Sequence, residues 1–210
     1  MTPAKSDSRA GLIVDFGGVL TTNVFASFRA FCAAEQLDPD LIRDRFMTDP
    51  SAFELLDGLE TGRLAESAFE ARLAALLGIE DHAALIDRLF EAIRPDFAMV
   101  EAVRQAKSLG VKTGLLSNSW GVGRMYDRAQ FPELFVGVVI SGEIGIRKPD
   151  PRIYALAAES VNLPPQECVF VDDLVHNLEP ARALGMIGVH HISADQTIYE
   201  LEELLGVVLR

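Results

Sequence analysis

Three carboxylates, a hydroxyl, an amide and an ammonium stand out in this 210-residue sequence because each follows a short apolar run. Asp15 follows Gly11 to Val14, and Ser117 and Asn118 follow Lys112 to Leu116. Lys148 comes shortly after Val136 to Ile140, and Asp172 and Asp173 follow Cys168 to Val171. Apolar runs of this length, bounded by polar or glycine-rich residues, mark strands buried on both faces of a parallel sheet. Ligands of such sheets bind outside the carboxyl ends of the strands, so these side chains are expected in one cleft. Singly, each has an ordinary explanation as a turn former, a helix cap or a solvated lysine. Independent caps, however, need not all fall at one edge of one sheet. Clustered carboxylates repel unless a cation stands between them, and hard oxygen ligands next to phosphate-binding groups select Mg²⁺. Lys148 adds positive charge, so the set suits a phosphate ester.

The elements that must position these residues can be read from the same sequence. A fifth strand is predicted at Gly188 to Ile192, and helical patterns cover Met99 to Leu109, Pro151 to Ser160 and Asn177 to Leu184. Gly110 and Gly185 stand where glycine closes a helix. Alternating strands and helices give an α/β fold, a Rossmann-like doubly wound parallel sheet. From Thr22 to Arg94 only helical periodicity is present, including the amphipathic run Leu64 to Leu77, and about 70 residues is too long for a bare loop. The predicted organisation is therefore a core of residues 1–20 and 95–210 with an inserted α-helical cap at 21–94, beside the sheet's carboxyl edge. No internal repeat or low-complexity block competes with this division.

Composition narrows the partners. Nineteen basic against 31 acidic residues give a net charge of −12, which repels nucleic acid and anionic membrane surfaces alike. Cys32 and Cys168 lie far apart without metal-ligand spacing, so neither a disulfide framework nor a zinc site is indicated. The N-terminal residues lead into an apolar stretch, Leu12 to Val14, too brief for a signal sequence or a membrane span. The expectation is a cytoplasmic protein with a small-molecule substrate.

The order of these residues resembles the haloacid dehalogenase superfamily, whose members carry an Asp at the end of the first strand, a Ser or Thr after the second, then a Lys and an acidic pair. More narrowly, LLSNSW (Leu115 to Trp120), RKPDPRIY (Arg147 to Tyr154) and VFVDDLVHNLEPARALGM (Val169 to Met186) look like the phosphatase-type N-terminal domain of soluble epoxide hydrolase and its bacterial relatives, a subfamily with a helical C1 cap. The resemblance implies that Asp15 is the nucleophile that forms an aspartyl-phosphate. Ser117, Asn118 and Gly18 would bind the phosphoryl group, and Lys148 would neutralise charge. Mg²⁺ would sit on Asp15, the Gly17 carbonyl and Asp173, with Asp172 in support. Gly17 departs from the pattern, because the superfamily's phosphatases usually carry there a second Asp that protonates the leaving oxygen and activates water.

Glycine keeps the carbonyl but not the acid, and that leaves three readings: a phosphatase of a small phosphorylated metabolite, a weak or non-catalytic binding protein, and a carbon–halogen hydrolase. The last needs no second Asp, but it also needs no metal, and the acidic pair argues for one. His176 is a candidate substitute acid or a solvated helix residue. His190 and His191 should point to opposite faces of a strand. The phenylalanines Phe25, Phe28, Phe31, Phe46, Phe53, Phe69 and Phe90 are expected to form the core of the cap, while Trp120 either packs or lines the cleft.

Overall fold

The computed structural model describes residues 8–121 and 126–210. The reading of the leading segment, as far as it rests on residues 1–7, lies outside the described residues.

The chain begins with β1 (Gly11–Val14) and then runs through five helices: α1 (Val24–Ala34), α2 (Leu41–Thr48), α3 (Pro50–Glu60), α4 (Glu66–Leu77) and α5 (Leu85–Leu89). The sheet resumes after α6 (Phe97–Ser108) with β2 (Lys112–Ser117). It continues through α7 (Phe131–Leu134), β3 (Gly137–Ile140), α8 (Ser141–Ile144), α9 (Pro151–Ser160), β4 (Cys168–Asp172), α10 (Val175–Ala183), β5 (Ile187–His190) and α11 (Ala194–Leu205). All strands are parallel, in the order β3-β2-β1-β4-β5. The doubly wound α/β sheet expected from the sequence is thus present.

Successive side chains of a strand face opposite sides, and both sides of this sheet are covered by helices. Leu12, Val14, Leu115, Val169 and Val171 pack against Met99, Ala102 and Val103 of α6 and Ile198, Leu201 and Leu205 of α11. Ile13, Leu116 and Phe170 face the other way, onto Ile153, Tyr154 and Ala157 of α9 and Leu178 and Ala181 of α10. The register pairs Val14 with Leu115 on one side and Val171 on the other, so the carboxyl ends of β1, β2 and β4 fall within two residues of one level. That alignment brings the residues after them together.

Four of the five strands differ from expectation at their ends. Both β2 and β4 extend to include their first polar residue, Ser117 and Asp172, because the ladders continue to Ile140 and His190. β3 begins at Gly137, with Val136 half exposed. β5 starts one residue early and stops at His190, leaving Ile192 exposed, while the His191 N–H donates to the Asp172 carbonyl at 3.0 Å.

Residues 22–94 contribute helices but no strand to the sheet among the described residues, and they build a core of their own. Phe28, Phe31, Cys32, Ile42, Leu55, Leu59, Phe69 and Leu73 are its buried centre. Phe25, Phe46 and Phe90 pack on it, whereas Phe53 is exposed beneath the Arg147 guanidinium, 5.3 Å from its ring centroid. Trp120 resolves to packing: its ring lies 5.2 to 5.7 Å from those of Phe28, Phe46, Phe69 and Phe90. A core residue therefore plugs into the helical insertion. The insertion leaves and re-enters the core through an antiparallel bridge, Thr21 to Pro95. The Thr22 N–H donates to the Arg94 carbonyl at 2.8 Å, and the Asp96 N–H to the Leu20 carbonyl at 2.9 Å.

Candidate active site

The β1 ladder ends with the Asp15 N–H donating to the Val171 carbonyl at 2.9 Å, which fixes Asp15 as the first residue past the sheet. Its carboxylate Oδ1 accepts the Phe16 N–H at 2.7 Å and lies 2.9 Å from the Lys148 ammonium. Lys148 is 1% exposed, with Nζ 5.6 Å from the Phe170 ring centroid and 2.7 Å from Asp172 Oδ2. Burial opposes its charge, but Asp15 and Asp172 outweigh that and raise its pKa. The ammonium is thus a permanent cation under the carboxylates.

Asp172 is fully buried, and both of its oxygens are engaged. Oδ1 accepts the Leu174 N–H at 2.8 Å and Asn177 Nδ2 at 3.0 Å, while Oδ2 takes Asn177 Nδ2 at 3.1 Å besides Lys148. This residue holds Lys148. Asp173 is half-buried, and Asp15, Asp172 and Asp173 can each offer an oxygen within 4.8 Å of the others. Burial and then the neighbouring carboxylates push Asp15 up to about 7, against the pull of Lys148, and Asp173 up to about 6. Two carboxyls raised by desolvation and by neighbouring carboxylates, Asp172 above all, are what a bound dication would relieve.

The backbone makes room for this cluster. Gly18 has φ +79°, and a Cβ there would stand 2.4 Å from Asp173 Oδ2, so only glycine fits beside that carboxylate. Its N–H donates to Thr21 Oγ1 at 3.1 Å, which fixes the turn. Gly17 precedes it without a positive φ. The oxygen-only donor set and the space kept at Gly18 fit Mg²⁺.

At the end of β2, Ser117 Oγ pairs with the Tyr126 hydroxyl at 2.9 Å. Tyr126 is buried, its ring is 4.9 Å from that of Phe16, and burial pushes its pKa to about 12, so the phenol stays protonated. The Asn118 side chain is spent on the main chain of Lys148, accepting from its N–H at 2.8 Å and donating to its carbonyl at 3.1 Å. The structure therefore brings Asp15, Gly17, Gly18, Ser117, Asn118, Lys148, Asp172 and Asp173 to one edge. It leaves His176 exposed on α10 and holds the two later histidines apart. His190 Nε2 sits 3.1 Å from the Asp173 carbonyl, and His191 Nδ1 sits 2.9 Å from Thr197 Oγ1.

Three residues of the site had not been read from the sequence. Asn177 lies five residues past Asp172, a spacing that could have shown it in the first turn of the following helix. Tyr126 carries no motif. Glu60, at the end of α3, is 5% exposed; its Oε2 accepts from Asn118 Nδ2 at 3.1 Å and forms an ion pair with the Arg147 guanidinium, 2.9 Å from Nε, while the Nε–H itself donates to the Lys148 carbonyl at 3.1 Å. Burial pushes its pKa up to about 7 against the pull of Arg147 and Lys148.

A Rossmann-like sheet with an acid at the end of its first strand, a hydroxyl after the second, a buried lysine and an acidic pair defines a class. Residues 10–185 match the haloacid dehalogenase-like hydrolase family, and the chain belongs to it. Among curated relatives, the sesquiterpene phosphatase astK of Aspergillus oryzae is 27% identical over 157 residues, covering 73% of this chain and 80% of its own. Bifunctional epoxide hydrolase 2 of Sus scrofa is 33% identical over 131 residues; the match takes in 60% of this chain but only 24% of that relative's length. A solved structure, the family enzyme bt-2542 from Bacteroides thetaiotaomicron in complex with magnesium and inorganic phosphate, has a TM-score of 0.63 at 18% identity. It covers 87% of this chain and 94% of its own, and at that identity it shows the shared fold.

Proposed function

We propose that this protein is a Mg²⁺-dependent phosphatase acting on a small phosphorylated metabolite through an aspartyl-phosphate on Asp15, with residues 21–94 as its cap. The observation that carries the reading is the Asp15 carboxylate held against a buried ammonium, with a second, half-buried carboxylate within 4.8 Å of it. A carbon–halogen hydrolase has no need of that second acid.

Mg²⁺, held by Asp15, Asp173 and the Gly17 carbonyl, would offset the repulsion between an attacking carboxylate and a phosphate dianion. Two donors on Oδ1 fix the plane of the Asp15 carboxylate, so its other oxygen has a fixed direction of attack. That oxygen bonds to phosphorus as the bond from phosphorus to the leaving oxygen breaks. Lys148 and Ser117 receive the charge on the phosphoryl oxygens, and the Asn118 and Gly18 main chain lines the same pocket. Water then attacks phosphorus, releasing inorganic phosphate and restoring the Asp15 carboxylate. Without an acid at position 17 the leaving oxygen takes its proton from solvent or departs as an anion, which favours esters of acidic alcohols.

The candidate cleft for a leaving group is mostly apolar and meets the site only at Phe16, the neighbour of Asp15. A cleft of about 390 Å³ opens there between core and insertion, lined mainly by Phe16, Leu20, Ile86, Phe90, Pro95 and Phe131. The sesquiterpene phosphatase relative is consistent with such a substrate. The test is a screen of aryl, acyl, sugar and isoprenoid phosphates with Mg²⁺ and with EDTA, using Asp15→Asn as the zero. Turnover that needs both Mg²⁺ and Asp15 supports the reading, and turnover that persists in EDTA overturns it.

A further inference from the structure

Glu60 is a buried carboxylate on the helical insertion, and no step of the proposed mechanism uses it. Burying a carboxylate is costly unless it is paired and hydrogen-bonded, and packing alone would be served better by leucine. Both partners of its Oε2 belong to the core, and both lead to one place. Arg147 immediately precedes Lys148, and Asn118 holds the Lys148 main chain at both ends. Pro149 has no N–H, so this turn is held by the Asp150 N–H on the Arg147 carbonyl at 2.9 Å and, at Lys148 itself, by the N–H and carbonyl that Asn118 engages.

A primary amide has two N–H donors and one carbonyl oxygen. In Asn118 the oxygen accepts from Lys148, while Nδ2 donates to Lys148 and to Glu60. Take Glu60 away and one donor loses its acceptor, leaving the amide free to turn out of its double contact. A lysine ammonium rides on a flexible four-carbon stem, so its aim at Asp15 and Asp172 depends on where the main chain is fixed.

The Glu60 main chain is fixed by the core as well. Its carbonyl accepts the Ser141 hydroxyl, whose oxygen in turn accepts the Ser119 N–H at 2.8 Å. Two residues on, Gly62 approaches so closely that a Cβ would stand 2.5 Å from the Gly142 carbonyl oxygen. The end of α3 is thus seated against the loop that follows β2 and against α8, which follows β3.

We infer that Glu60 is a positioning residue for Lys148: through the Asn118 amide it ties the seating of the helical insertion to the placement of the catalytic ammonium. This rests on the phosphatase reading for the role of Lys148.

The experiment has one arm that needs no turnover. Glu60→Leu keeps the volume and removes the acceptor, whereas Glu60→Gln keeps an acceptor without the charge. Hydrogen exchange of the Lys148 amide should speed up about tenfold in Glu60→Leu and stay near wild type in Glu60→Gln, with global melting temperatures compared to separate local from general loosening. In the kinetic arm, Glu60→Leu should lower kcat on an aryl phosphate about tenfold with Mg²⁺ affinity unchanged. Glu60→Gln should recover most of that loss. The double variant with Asn118→Ala should be no slower than Asn118→Ala alone, because the two residues act in series. Unchanged exchange at Lys148 in Glu60→Leu overturns the inference, and so do losses that multiply in the double variant. A wild type that hydrolyses no phosphate ester counts against the phosphatase reading, and the exchange arm still decides the role of Glu60.

Discussion

Gly17 is the residue at which the resemblance to the family's phosphatases implies an Asp and this chain has none. A Cβ at that position would lie 3.0 Å from Val24 Cγ2, so a larger side chain fits once one methyl group yields by a few tenths of an ångström. General acid–base catalysis contributes about 10²- to 10⁴-fold. Restoring the carboxylate in Gly17→Asp should therefore raise kcat/KM for alkyl phosphates more than for aryl phosphates, whose leaving groups depart without a proton. Adding Val24→Ala should widen the gain. Equal effects on both ester classes would show that position 17 does not govern leaving-group protonation. On the metal side, Asp173→Asn should weaken Mg²⁺ binding in calorimetry at least about tenfold, because it removes the acid left over once Asp172 is committed to Lys148 and Asn177.

At the scale of elements, the strands were legible because parallel strands buried on both faces are written as apolar runs, and their ends delivered Asp15, Ser117 and the acidic pair. The neighbours that aim those residues were not legible. Glu60 is one of 31 acidic residues and meets Asn118 across 58 positions, with no local pattern to mark it. Tyr126 meets Ser117 across nine. Asn118 was readable as a site residue, but only the fold showed its side chain spent on Lys148. Trp120 could be read two ways from sequence, and the contact of its partly buried ring with four phenylalanines decided for packing. Because it is the aromatic plug between β2 and the insertion, Trp120→Ala should cost about 3 kcal/mol, read as a lower denaturation midpoint. An unchanged midpoint would mean that the insertion seats without it.

The whole molecule carries a pH signature. Asp15 and Glu60 rise to about 7 and Asp173 to about 6, from ordinary values of 3.8, 4.5 and 3.8. Between those limits the folded chain binds more protons than the unfolded one, so stability is present at the acid end and is lost as pH climbs through about 7. The cations facing these groups, Lys148 and Arg147, are too few to reverse the sign, and the net charge of −12 pushes the same way. In EDTA the melting temperature should fall from pH 5 to pH 8, and Mg²⁺ at pH 8 should recover much of the loss by joining Asp15 to Asp173. A rise over that range without metal would contradict this account of the cluster.

The bridge between Thr21 and Pro95 reaches beyond this one chain. Since the two crossing points are neighbours, the sheet meets everything between them as a single closed loop, and closing a loop twice as long costs only about 0.6 kcal/mol more. Any segment whose ends can meet across one such pair of residues slots into the same scaffold without disturbing strand order. Under the phosphatase reading proposed above, selectivity for the leaving group would then be exchangeable as a cassette. If Glu60 positions Lys148 as inferred, a new cassette must supply, besides a substrate surface, an acceptor where Glu60 now stands.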